Sequence, residues 1–137
     1  MLNLKMILDG KIASVNTMYL RGKHGGVYLA PEVKQYRKDV VKPIQDALKK
    51  AGKYDGGLLV VKVDVHTDFF TKAKEVRRLD IDNFAKQIID SIFPVIGIDD
   101  KMIFDLRLRK VQYAGNPKCA VSIKEIPAIN KKGGEKL

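Results

Sequence analysis

Residues 57–70, GLLVVKVDVHTDFF, alternate Leu59, Val61, Val63 and Val65 with Val60, Lys62, Asp64 and His66, the period of a strand buried on one face. The cover for such a face is legible upstream. From residue 31 to about 52 the apolar residues Val33, Tyr36, Val40, Val41, Ile44, Ala47, Leu48 and Ala51 recur at spacings of three and four, a helix with Pro31 suited to its first turn. A second helix is expected from about residue 81 to 93, with Phe84, Ile88 and Ile92 as its buried stripe, closed by Pro94 and Gly97.

Strands are expected at LKMILD (residues 4–9), MIFDLRLRKVQY and CAVSIKEI, the last two joined by a turn at GNPK. In the first of that pair Phe104, Leu106 and Leu108 alternate with Asp105, Arg107 and Arg109; in the second Cys119, Val121 and Ile123 alternate with smaller or polar residues. The Gly-rich RGKHGGVYLA reads as a loop or hairpin tip leading into a short extended piece. The fold class is α+β: one compact domain with a mixed sheet of about four to five strands packed by two main helices. It occupies residues 1–126, and residues 127–137 form a flexible basic tail.

At 137 residues, 45% hydrophobic and 31% charged, the chain is an ordinary globular domain. No apolar run approaches the roughly 20 residues of a membrane span, and the opening MLNLKMILDGK does not suit a signal peptide, so a cytoplasmic location is expected. Cys119 is the only cysteine, which excludes an intrachain disulfide and a thiolate zinc site and suits a core position. His24 and His66 stand isolated and are expected in surface or hydrogen-bonded roles. The net charge of +10 points to polyanionic partners, nucleic acid above all.

Against that charge, RRLDIDNFAKQIIDSIFPVIGIDDK gathers acids: six of the 16 Asp and Glu residues lie between residues 80 and 105. Asp80 sits at the start of the second helix, Asp82 in its first turn, and Asp99 with Asp100 in the turn beyond its far end. Asp82, Lys86 and Asp90 share one polar ridge. These residues admit two readings. Short hard-oxygen ligands on rigid element ends suit Mg²⁺, which keeps several waters, and a nearby lysine suits charge developing on a phosphate. Equally, Asp80 suits an N-cap, Asp82 complements the helix dipole, Asp-Asp suits a turn, and Lys86 with Asp90 makes an exposed pair.

The string Asp80-Ile-Asp82-Asn83-x-x-Lys86, followed by a helix and Gly97-Ile-Asp99-Asp100, resembles the signature of the RusA family of Holliday-junction resolvases. The likeness spans roughly residues 10–125: Asn16, Tyr19 and Arg21 resemble the family's Asn-containing segment, and YLAPEVKQYRKDV the opening of its first helix. Where the family carries Pro-Pro-Ser before that Asn, this chain reads KIASVN. The resemblance implies a homodimeric endodeoxyribonuclease that nicks four-way DNA junctions with one cut per subunit. It also implies Mg²⁺, for which Mn²⁺ would substitute, and neither membrane nor organic cofactor. Carried over, Asp80, Asp82 and Asp100 match the metal carboxylates, Asp99 is a neighbouring ligand, Lys86 matches the catalytic lysine, and Asn16 and Arg21 would contact DNA. Lys72, Lys74, Arg77 and Arg78, on the loop leading into the acids, suit the DNA backbone, as do Arg107 and Arg109 unless Asp105 pairs them. A less selective Mg²⁺-dependent nuclease and a non-enzymatic DNA-binding protein stay open beside the resolvase.

Overall fold

The computed structural model describes residues 1–12, 19–21 and 25–127; Asn16, His24 and residues 128–137 of the expected tail lie outside the described residues. Four strands form one mixed sheet: β1 (Asn3–Asp9), β4 (Leu58–Thr67), β5 (Ile103–Gln112) and β6 (Lys118–Ile126), in the order β1-β6-β4-β5. Two short strands, β2 (Tyr19–Arg21) and β3 (Val27–Leu29), pair antiparallel as a separate hairpin. The helices are α1 (Pro31–Lys49) and α2 (Ile81–Ile96). β6 runs antiparallel to both β1 and β4, while β4 and β5 are parallel and joined through α2, the crossover that parallel neighbours require.

One face of the sheet is apolar. Leu4, Leu8, Val61, Val63, Val121 and Ile123 are buried there beneath Tyr36, Val40 and Ile44 of α1 and Phe84, Ile88 and Ile92 of α2, in a single cluster. The opposite face is open to solvent, where Lys5, Ile7, Lys62, Asp64 and Ser122 line a shallow depression. Cys119 is buried in the cluster as expected, and burial pushes its thiol up to about 12.

Four expectations shift. β4 ends at Thr67 rather than near residue 70, because the Asp68 carboxylate accepts the N–H of Phe70 and turns the chain. α1 stops at Lys49, short of residue 52. α2 continues through Pro94 to Ile96: the proline removes the one bond its N–H would give to the carbonyl of Asp90, but only two residues of helix follow it, and Gly97 at φ 71° makes the left-handed stop. Phe104 and Leu106 are 57% and 41% exposed rather than core. β5 is an edge strand, and a register shift between Leu59/Ile103 and Val60/Asp105 leaves Phe104 without an opposite residue.

At the end of the sheet where β4 begins, a buried carboxylate ties three segments together. Glu125 is 2% exposed, and its oxygens accept N–H bonds from Leu2 at 2.9 Å, Gly57 at 2.8 Å and Asp55 at 3.1 Å. Burial alone would raise its carboxyl, but these bonds more than reverse that and hold it below the usual carboxylate range. Gly57 is required beside it, since a Cβ there would stand 2.3 Å from the Ile126 carbonyl oxygen and 2.7 Å from Glu125 Oε2.

Candidate active site

The approach to α2 is fixed from below. After β4, Phe69 is buried edge-on to Phe84 at 6.0 Å, and its N–H donates to Gln112 Oε1 at 2.8 Å. The loop then folds back on itself: Thr71 N–H donates to the Glu75 carbonyl, Phe70 bridges Val76, and Arg77 N–H donates to the Phe69 carbonyl. Lys72 and Lys74 are left exposed on this loop, Lys74 with φ 65°. Arg77 is anchored by Nε donating to the Phe70 carbonyl and by a loose 3.9 Å pair with Asp68. Arg78 has no ion pair among the described residues. The Asp68 carboxyl is held low, first by the Gln112 amide and then by Phe70 N–H.

Leu79 packs on the core and Asp80 follows as the helix N-cap, with extended backbone at φ −71°, ψ 135°. Its carboxylate makes no capping bond, so the structural duty that the residue type suggests is not performed by the side chain. Asp82, one residue into α2, and Lys86, a turn later, are exposed, and neither is ion-paired among the described residues. The Lys86–Asp90 pair, one of the two readings open for these residues, is not formed among the described residues; Asp90 lies 3.9 Å from Arg37 on α1 instead. Among the described residues, three polar side chains therefore project from the first two turns of one helix without ion-pair partners. Carboxylates in that state remain available to a cation.

At the far end the two acids divide. Asp99 caps the 3-10 turn Asp100–Met102, accepting Lys101 N–H at 3.0 Å, whereas the exposed Asp100 side chain makes no such bond. They line a depression that also holds Arg37 and Asp90. α2 has 16 residues, so about 24 Å of helix separates Asp80 and Asp82 from Asp99 and Asp100. The topology puts the first pair where β4 ends and the second where β5 begins, at opposite ends of the sheet. Accordingly no three His, Cys, Asp or Glu side chains gather to hold a metal among the described residues.

Of the expected DNA contacts, Arg21 lies in β2. Arg107 and Arg109 point from the open sheet face and are engaged: Arg107 with Asp105 at 3.2 Å, and Arg109 with both oxygens of Asp64 at 2.9 Å. That forked pair holds the Asp64 carboxyl low. His66 sits at the end of β4 with Nδ1 3.2 Å from the Asp64 carbonyl oxygen, a hydrogen-bonded position as expected. Sequence reading missed Lys11 and Lys118, which stand with Arg77 and Arg78 around one cavity beside the start of α2. Nothing in their spacing marks them, because β1, β6 and the loop meet only in the fold.

Among the described residues no helix is long and apolar enough to cross a membrane. The family model described as endodeoxyribonuclease RusA matches residues 9–124. No curated protein matches the chain.

Proposed function

We propose, from the premise that the chain belongs to the RusA family of endodeoxyribonucleases and is a hydrolase acting on DNA, that its substrate is the four-way junction and that two copies cut it together. The observation that carries the second half is the length of α2. In one chain α2, about 24 Å long, lies between Asp80 at its start and Asp100 beyond its far end, so a site using Asp80, Asp82 and Asp100 needs a second copy. If two α2 helices lie antiparallel about a twofold axis, the start of each meets the far end of the other, and two equivalent sites arise. Apolar surface suited to such a contact is available at Ile81, 44% exposed, and at Phe104 and Leu106 on the unpaired edge of β5.

The donors fit a hard divalent cation: unengaged carboxylates of Asp80 and Asp82, completed by Asp100 of a second copy, with Asp99 giving one oxygen to its own turn. Bound there, Mg²⁺ would activate a water and neutralise charge on the scissile phosphate. The chain's own groups do the rest. Lys86, unpaired on the next turn, offsets negative charge building on the phosphate oxygens. Lys72, Lys74 and Arg78 track the strand backbone and set its register, while the anchored Arg77 and Phe69 keep their loop at a fixed height above the helix.

Cleavage of a synthetic four-way junction against linear duplex of the same sequence, with Mg²⁺ or EDTA, tests this. Paired Mg²⁺-dependent nicks near the branch, lost in Asp82→Asn, are expected. Equal cutting of duplex would leave a nuclease without junction preference, and no cutting would remove the acids from catalysis.

A further inference from the structure

The cavity beside the start of α2 has a volume of about 730 Å³, inside the roughly 300–1,000 Å³ range of small-molecule sites. Its walls are chemically divided. The floor is apolar: Ile12, Val65, Phe84 and Cys119 are buried core residues, and Leu79 packs on them. The rim is cationic: Lys11, Arg77, Arg78 and Lys118 outnumber Glu32 and Asp68, and Asp68 is already engaged by Gln112 and Phe70. Arg77, Arg78 and Leu79 run directly into Asp80, so whatever occupies the cavity is next to the proposed cutting site.

An apolar floor under a basic rim matches one component of DNA, a nucleotide out of its stack, with a flat apolar base at one end and a phosphate at the other. We propose that this cavity takes up a single unstacked nucleotide of the bound strand, its base on the floor and its phosphate on the Lys11, Arg78 and Lys118 rim. This rests on the junction reading and deepens it. Pulling a base from an intact duplex costs a few kcal/mol, and the cost is least where pairing is already broken. A cavity filled only by an extruded base therefore binds more strongly at a branch than along a duplex, which supplies structure selectivity without any contact to the junction as a whole.

The test uses 2-aminopurine, a base whose fluorescence rises when it leaves the stack, placed in turn at each position flanking the branch of a synthetic junction and at the same positions in linear duplex, in EDTA. Full-length protein should raise the signal severalfold at one position in the junction and leave the duplex unchanged. Thr67 lines the cavity at the end of β4 and Thr71 lies on the exposed loop at its mouth. Thr67→Trp and Thr71→Trp should each plug the cavity and return the signal to the unbound level. Thr67→Val, of unchanged volume, should keep it, and thermal melts of all three check folding. Bound junction with no rise at any position, or a rise surviving in a folded plugged variant, overturns the proposal. Cutting of junctions with a silent probe would sink the nucleotide site and spare the resolvase reading. Failure to prefer junction over duplex in gel shift would instead sink the reading beneath it.

Discussion

Where β4 begins, every N–H around the Glu125 carboxylate is matched to an oxygen; where β4 ends, Asp80, Asp82, Lys86 and Arg78 stand without ion-pair partners among the described residues. Both ends carry acids in a chain of net charge +10, so charge alone does not separate them. What separates them is whether the acid's bonds are already spent. Glu125 is buried and holds β1, β6 and the segment before β4 together; Asp82 is exposed and pairs with none of the described residues. Asp100 is an unengaged acid at the well-tied end, which is what makes a second copy attractive.

The largest test of that contrast exchanges defects between copies. Asp82→Asn and Asp100→Asn proteins should each cut junctions at background level with wild-type melting temperatures. Mixed, they should regain single nicks if the proposed dimer forms, because one of its two shared sites would then keep both carboxylates. No recovery after subunit exchange would place the acids in separate roles within each chain.

Glu125→Gln should do the reverse, leaving chemistry intact in whatever fraction remains folded. Losing a charged acceptor for buried N–H groups costs about 2–3 kcal/mol, a fall of about 10 °C in melting temperature for a chain this size. The pH dependence has a defined sign. A carboxyl held below its unfolded value, which is about 4.3, contributes stability above that pH and loses it as pH falls through the folded value. The wild type should therefore melt earlier as pH is lowered from about 5, and Glu125→Gln should show a flatter slope. Equal slopes would mean that Glu125 is not the acid responsible.

Smaller effects belong to the loop. Replacing Lys72 and Lys74 by Ala should lower the slope of log affinity against log salt by about 2, with nicking positions unchanged. Smallest of all, Arg109→Ala on the open sheet face should barely move the melting temperature, since its pair with Asp64 is exposed. A clear loss of DNA affinity there would bring the sheet face into the binding surface.

The helices and β4 were legible because their apolar periods are long and unbroken. Phe104 and Leu106 follow the same alternation, but periodicity cannot say that a strand lies at an edge. Glu125 did leave a trace: it continues the buried register of Cys119, Val121 and Ile123, and an acid in an apolar register signals a structural anchor. The family signature located Asp80, Asp82, Lys86 and Asp100 together in sequence. Their separation in space was implicit in the helix between them, whereas the cavity at its start required three distant segments to meet.

β6 sits between β1 and β4 and supplies all of the pairing that β1 has in the sheet, yet it is made after every other strand. A ribosome that has delivered α2 and the acids has not delivered the piece that lets the sheet close. β1 must wait through synthesis of more than a hundred residues, several seconds or more at about 5–20 residues per second. A chain stopped between Asp100 and Lys118 thus carries the acids without the strand that joins β1 to β4 and closes the sheet behind them.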